Sequence, residues 1–250
     1  MLTSILIVAM TRETDPWIAR QKLTHPVDMT YQINSIINHH LNSCASHSNI
    51  NTVHQKCLNE LKQVESEVDS LSPTTSVKFG DSVYRYSKGN AIVDWLGQFF
   101  AMMRLAPSIT LIRDVPIVIG TDKLAHFFET GYEYYVRGET LGVEYGIKTE
   151  QTYFGLGISG VYSHADLYAN LKGFDFWTQL VPYHLDCNLI KCSIANPFEL
   201  DEYFDLNFDE SINLSHFTRT FVNPSQITPC THIPYNGSSR FHHAIHPSRL

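Results

Sequence analysis

The sequence predicts a mainly α protein with a helical core, a small β hairpin and an irregular C-terminal region. Apolar residues recur at helical spacing in residues 29–41, 52–68 and 120–138. Residues 109–119 contain two short β-like runs, SITLIRD and VPIVIG, which can pair as a hairpin. The tail from Pro224 is rich in Pro, His, Ser and Asn, which is typical of irregular structure.

The composition limits the size of the fold and the class of partner. A chain of 250 residues is long enough for one large domain or two small ones. Charged residues make up 17%, below the roughly 25% of average soluble domains. The net charge is −7 and no basic stripe is present, which argues against nucleic acid as a partner.

Residues 1–28 are predicted to be an N-terminal lead-in, followed by a helical hairpin over residues 29–72. The lead-in carries a short apolar run, Ile5 to Met10, and we interpret it as a truncated signal segment, a strand or a membrane-contacting arm. In the hairpin, Thr52 is the expected cap of the second helix. Cys44 and Cys57 flank the turn, where a disulfide can join the two helices.

A second pair of cysteines, Cys187 and Cys192, is also close in sequence. Two local disulfides favour an oxidising compartment, so we expect a periplasmic, envelope-associated or secreted protein. The alternative is that these are ordinary buried thiols.

Residues 73–177 are predicted to form a helical core that holds the candidate site, and residues 178–250 an irregular extension. The core should begin with a hairpin at 77–87 and an apolar helix from Asn90 to about Leu105. Charged residues and prolines interrupt the apolar stretch 91–119, so spanning a membrane is not expected there. Contact with a membrane surface through 91–119 and 127–135 is one hypothesis.

The segment GTDKLAHFFETGYEYYVRG, residues 120–138, is predicted to be one helix capped by Thr121 and ended by Gly138. Steps of four, three and four residues place polar side chains on one face: Asp122, His126, Glu129 and Glu133. We expect a loop after Gly138 and another helix from about Thr149.

The segment SHADLYANLKG, residues 163–173, has the pattern of a capped helix. Ser163 and Asp166 resemble a capping box, and Gly173 is the expected end. Asn170 lies on the same face as Asp166, and its amide needs a partner if it is buried.

These two helices predict a shared polar site. Imidazole and carboxylate groups suit a divalent cation such as Zn, Mn or Fe, and the predicted ligands are His126, Asp122, Glu129 and Asp166. The alternative is that Asp122 caps its helix, the glutamates are solvated and His126 is a hydrogen-bonded core residue. Beyond a divalent cation, the sequence does not identify a cofactor.

The patterns Asp122-Lys123-x-x-His126-Phe127 and Ser163-x-x-Asp166-Leu167-x-x-Asn170-x-x-Gly173 resemble those of YfiM-like putative bacterial lipoproteins and, more loosely, VanZ-like membrane proteins. The resemblance covers about residues 118–177. It implies an envelope location. It also implies a helical core in which five polar residues converge: Asp122, Lys123, His126, Asp166 and Asn170. The acidic residue that such patterns carry after a lysine is matched imperfectly by Lys148-Thr-Glu150.

Three functions remain open at this stage. The first is an envelope enzyme, a metal-assisted hydrolase acting on a small-molecule or envelope substrate, with catalytic residues His126, Asp122, Asp166, Asn170 and Lys123. In that hypothesis Lys123 steadies an anionic group and Asn170 binds substrate. The second is a non-catalytic envelope protein whose polar cluster fixes helix register. The third is a membrane-surface interaction protein.

Overall fold

The structure, a computed structural model, describes residues 28–71, 109–112, 117–152 and 161–209, together with residues 213, 216 and 217. The predicted fold class is confirmed, because helices dominate these residues and the strands form short antiparallel pairs. The lead-in before residue 28, the hairpin at 77–87, the helix at 90–105 and the tail beyond residue 217 lie outside the described residues.

The N-terminal unit consists of α1 (Thr30–Ser46), α2 (Val53–Leu61) and α3 (Val64–Leu71). The first helix is longer than its apolar pattern predicted, and the second predicted helix is divided at Lys62 and Gln63. Thr52 stands at the predicted N-cap position but makes no side-chain capping bond. The disulfide between Cys44 and Cys57 is confirmed.

The predicted β hairpin at 109–119 is confirmed. Strand β1 (Ile109–Ile112) pairs antiparallel with β2 (Ile117–Gly120), and Ile112 lies opposite Ile117. Because β2 ends at Gly120, the hairpin leads directly into the helix that carries Asp122 and His126.

The predicted helix 120–138 is confirmed as a continuous helical path in three parts. These are α4 (Asp122–Ala125), a π-helical turn (His126–Thr130) and α5 (Gly131–Arg137). Gly138 ends it with a φ of 81°, a conformation that favours glycine. Thr121 takes the N-cap position, but its hydroxyl donates to Asp69 Oδ1 at 2.8 Å instead of capping the helix.

The loop expected after Gly138 is wrong, because α6 (Glu139–Gln151) begins immediately after that glycine. Its two glycines, Gly142 and Gly146, lie against Tyr134 so closely that a Cβ at either position would collide with that side chain. The glycines that weaken the helical pattern are therefore the ones that let α6 pack on α5.

The helix α7 (His164–Gln179) follows the short strand β3 (Val161–Tyr162), which pairs with β6 (His216–Phe217). Its predicted end at Gly173 is wrong, since the helix continues for six more residues. Gly173 is a packing position, where a Cβ would lie 2.9 Å from Gly131 Cα.

The chain after α7 forms a π-helical turn (Leu180–His184), the hairpin β4 (Leu185–Cys187) and β5 (Cys192–Ile194), and two 3-10 turns (Leu200–Glu202 and Leu206–Phe208). The predicted disulfide between Cys187 and Cys192 is confirmed. Aromatic side chains from this region complete one core with those of the helices: Phe127, Phe128, Phe176, Phe198, Tyr203 and Phe204.

Among the described residues, no helix combines the length and the apolar character needed to cross a bilayer.

Candidate functional site

The candidate site lies where the helical path 122–137 crosses α7. The two backbones approach closely at Gly131 and Gly173: a Cβ on Gly131 would stand 2.6 Å from Gly173 Cα. This close approach brings the first turns of both helices together. As a result, Asp122 and His126 face Asp166 across the interface.

A buried ion cluster occupies this interface. The Lys123 ammonium lies 2.7 Å from Asp122 Oδ2 and 2.5 Å from Asp166 Oδ1, so it bridges the two carboxylates. The Lys123 side chain is 0% exposed. A lysine buried to this degree requires such partners, because an uncompensated ammonium in the interior is strongly unfavourable.

His126 is held at both ring nitrogens. Its Nε2 lies 3.2 Å from Asp166 Oδ2 and its Nδ1 lies 3.1 Å from Asn170 Oδ1. Both partners are acceptors, which suits a ring that donates from both nitrogens. Burial lowers the pKa of His126, but the Asp166 carboxylate outweighs burial and raises the pKa to about 9.

His126 is also the group of the cluster that reaches solvent, with 22% of its side chain exposed against 2% for Asp166. Burial favours the protonated form of Asp166. The positive charges of His126 and Lys123 oppose burial and hold the pKa of that carboxyl far below its usual range. The cluster is thus an ionised one with a single imidazole at its outer edge.

Asp166 is positioned by the start of its own helix. Ser163 Oγ accepts a hydrogen bond from the Asp166 backbone N–H at 3.1 Å, which confirms Ser163 as the N-cap. The Ser163 backbone N–H donates to Glu150 Oε2 at 3.2 Å, so a carboxyl on α6 takes the part that the third residue plays in a complete capping box.

Glu150 is the main site residue that the sequence reasoning did not select. Burial, and next the negative charge of Asp166, raise the pKa of Glu150 to about 8. Its only sequence signal was its place in the resemblance to YfiM-like patterns. Because α6 was not predicted over its full length, nothing local in the sequence placed Glu150 near Asp166.

The π-helical turn separates the predicted polar stripe into two parts. The Gly131 N–H bonds to His126 O, five residues back, so the turn contains one more residue than an α-helical turn. The extra residue rotates everything after it by about 100° relative to an α-helix. Glu133 therefore pairs with Arg137 on the exposed surface at 3.2 Å, away from His126.

The aromatic core stabilises this irregular turn. Trp177 Nε1 donates to Phe128 O at 2.9 Å. This hydrogen bond joins a carbonyl of the π-helical turn to a side chain of α7. The turn is therefore tied to the same helix that carries Asp166.

Three of the four predicted metal ligands lie close together. One ligand atom from each of Asp122, His126 and Asp166 lies within 4.8 Å of the others. Within the described parts of the chain, these three side chains form the group of His, Cys, Asp or Glu residues that is close enough to share a cation. Glu129 is not part of it. Glu129 is half-buried, and burial raises its pKa, while the charges of Lys62 and then His126 oppose that shift.

Lys123 and Asn170 occupy different places from those expected of substrate-binding residues. Lys123 is engaged by the two carboxylates, and Asn170 is buried with its oxygen facing His126 and its Nδ2 donating to the Tyr134 hydroxyl at 3.5 Å. Lys123 therefore positions the two carboxylates and Asn170 positions the His126 ring. His126 is the side chain of the cluster with the largest exposed fraction.

Comparison with known proteins adds no family to this picture. No protein-family model matches the sequence, and searches of curated proteins and of solved structures gave no match. The resemblance to YfiM-like and VanZ-like patterns therefore stays a prediction.

Proposed function

We propose that this protein is a hydrolase of an oxidising compartment, the periplasm or the cell exterior, in which Asp122, His126 and Asp166 hold a divalent cation. The observation that carries the proposal is the convergence of these three side chains from two helices, with ligand atoms within 4.8 Å of one another. The disulfides Cys44–Cys57 and Cys187–Cys192 support the compartment, because such bonds persist under oxidising conditions.

Three protein ligands are the usual number in catalytic sites, which leave a coordination position for water. The 22% exposure of His126 gives that position an approach from solvent. An imidazole with two carboxylates suits Zn, Mn or Fe, and each of these cations lowers the pKa of bound water and polarises a carbonyl or phosphoryl oxygen. Hydrolysis is the reaction class that this chemistry favours.

Lys123 sets the condition for cation binding. Its ammonium already bridges Asp122 and Asp166, so a cation has to compete with it for carboxylate oxygens. His126 must also lose the proton that it donates to Asp166, because a metal binds the neutral imidazole. The displacement of the Lys123 ammonium and the deprotonation of His126 can both be tested by experiment.

Calorimetric titration of the chelator-stripped full chain with Zn²⁺ and with Mn²⁺ tests the proposal. We expect wild type to bind one equivalent, and His126→Ala and Asp166→Asn to lose more than about 100-fold in affinity, since even outer partners of metal ligands contribute about 10- to 100-fold. Glu129→Gln is the matched control and should keep wild-type affinity. Wild-type protein that binds neither cation would refute the proposal.

Hydrolysis is tested on the same samples. We expect chromogenic ester, amide or phosphate-ester substrates to be cleaved by cation-loaded wild type, and neither by the stripped protein nor by loaded His126→Ala. Cation binding without any cation-dependent cleavage would leave a metal-binding protein and remove the enzymatic part of the proposal.

The second candidate function is structural, and the fully buried lysine is the observation that favours it. A network in which Lys123 and both nitrogens of His126 already have partners can serve to fix the register of two helices. Under this alternative, adding cation leaves the melting temperature of wild type unchanged, and His126→Ala lowers it with or without cation.

Lys123→Met separates the two candidates. It keeps the aliphatic stem and removes the charge that competes with a cation, so the metal-binding proposal expects tighter Zn²⁺ or Mn²⁺ binding and a melting temperature restored by the cation. The structural alternative expects a less stable protein that no cation rescues, because two buried carboxylates lose their shared partner.

A further inference from the structure

The hairpin tip between β4 and β5 is the most exposed apolar feature of the described chain. Leu189 and Ile190 are adjacent, and 73% and 88% of their surfaces are exposed. Single exposed aliphatic residues are common on protein surfaces, but two neighbours at the apex of a loop form a continuous apolar projection.

The backbone of this tip is rigid. The disulfide Cys187–Cys192 closes the loop at the last residue pair of the hairpin. Inside the loop, Asn188 Oδ1 accepts hydrogen bonds from the backbone N–H groups of Ile190 and Lys191, both at 2.9 Å. The two apolar side chains are therefore presented outward by a loop that loses little conformational entropy on binding.

The base of the tip is fixed to the turn that follows α1. Asn188 O accepts from the Ile50 N–H at 2.9 Å, and the Cys192 N–H donates to Ser48 O at 3.0 Å. That turn is itself closed by the disulfide Cys44–Cys57. Both disulfides thus stabilise the same end of the molecule.

The charge of this end differs from that of the whole chain. The chain carries 25 acidic residues and a net charge of −7, yet residues 42–58 and 187–198 contain none of them. The same two segments carry the exposed lysines Lys56 and Lys191. The acid nearest to the tip in sequence, Asp186, is exposed on β4, next to Cys187 of the disulfide.

We propose that the Leu189–Ile190 tip binds the surface of an anionic phospholipid bilayer. The two aliphatic side chains enter the boundary between headgroups and acyl chains, while Lys191 and Lys56 contact lipid phosphates. A convex apolar projection with a cationic surround fits a fluid bilayer, which needs no complementary groove. Charge attraction acts mainly within about 10 Å, so Asp186 on the same hairpin opposes it most and acids beyond that distance oppose it little.

Co-sedimentation of the full chain with vesicles tests this proposal. Two compositions are compared, phosphatidylcholine alone and phosphatidylcholine with a minority of phosphatidylglycerol. We expect wild type to pellet mainly with the anionic vesicles, and added salt to weaken that binding. Each lysine near the surface contributes about 1 kcal/mol, so Lys191→Gln should lower the partition coefficient about fivefold on anionic vesicles only.

The tip itself is tested with Leu189→Gln/Ile190→Gln, which we expect to lower partitioning by at least about tenfold. The matched control is Val136→Gln/Leu141→Gln, because those side chains are exposed by 62% and 61% elsewhere on the surface. The control pair should bind as wild type does.

The depth to which the tip enters the bilayer is measured with single tryptophan substitutions. Ile190→Trp should shift its emission to the blue when anionic vesicles are added, and Leu141→Trp should not. The proposal is overturned if wild type ignores both vesicle types, or if the control pair weakens binding as much as the tip pair does. It is equally overturned if the tip pair changes only the oligomeric state in sedimentation velocity, which would make the tip a protein interface.

Discussion

Replacing Gly173 with alanine should separate the two helices that build the candidate site. A Cβ at this position would collide with Phe127 O and lie 2.8 Å from Phe127 C and 2.9 Å from Gly131 Cα. Carbon atoms in ordinary contact are about 3.5–4.0 Å apart, so the helices must move apart by about 1 Å. The 3.2 Å contact between His126 and Asp166 would then open to about 4 Å, beyond hydrogen-bonding range.

Two opposing effects decide the stability of this variant. Alanine in mid-helix is favoured over glycine by about 0.5–1 kcal/mol, whereas overpacking costs about 1–3 kcal/mol. The clash should prevail, because the atoms it meets belong to backbone and cannot rotate away. We therefore expect Gly173→Ala to lower the free energy of unfolding by about 1–2 kcal/mol.

Urea denaturation followed by circular dichroism measures this change, and Zn²⁺ titration of the same variant measures the site. Gln179→Ala is the control, since Gln179 is exposed near the end of the same helix. If Gly173→Ala were as stable as wild type or more stable, helix propensity alone would account for it and the close helix crossing would be refuted.

Three further predictions concern single groups. Trp177→Phe should lose about 1 kcal/mol of unfolding free energy by urea denaturation, because the Phe128 carbonyl loses its donor; an unchanged value would contradict the role given to this bond. Cys44→Ser/Cys57→Ser should cost about 3 kcal/mol by the same assay, given loop closure over a separation of 13 residues, and this difference from wild type should disappear under reducing conditions, which open both disulfides in wild type. In chelator, the stability that His126 supplies should be fully present below pH 6.5 and be lost as the pH rises through about 9, since its pKa is raised on folding. His126→Gln should flatten that decline, and an equally steep decline in the variant would assign it to another group.

The sequence predicted the local signals of the site better than its geometry. Ser163 as N-cap and Gly138 as helix end follow from short-range rules that tertiary contacts did not override. The convergence of His126 with Asp166 was expected from two polar faces and is present in the structure. Both disulfides were expected from spacing alone, since short loops leave few alternative pairings.

The errors have a common physical cause, which is that glycine has two uses. Gly173 was interpreted as a helix end, but it is needed for close approach to the helical path 122–137. Gly142 and Gly146 lie in the segment that was interpreted as a loop, but they let α6 pack closely on Tyr134. Close approach depends on a partner helix distant in sequence, and no local pattern contains that information.

The exclusion of Glu129 and Glu133 from the group of candidate ligands could not be foreseen for a similar reason. A π-helical turn has no reliable local signature, and here one of its carbonyls, Phe128 O, accepts a hydrogen bond from Trp177, about fifty residues further along the chain. Counting residues in steps of three and four gave the correct face up to His126 and the wrong face for Glu133.

This turn also makes the conformation of segment 126–130 critical. The same five residues wound as an ordinary α-helical turn would rotate everything on its N-terminal side by about 100° relative to Gly131. Asp122 and Lys123 would then leave Asp166 even though each amino acid of the cluster was retained. Removing one of residues 127–130 has a different result, because the shorter segment fits an α-helical turn with both flanking helices in their present phase. In a homologous chain, a single-residue deletion at these positions is therefore compatible with an intact site.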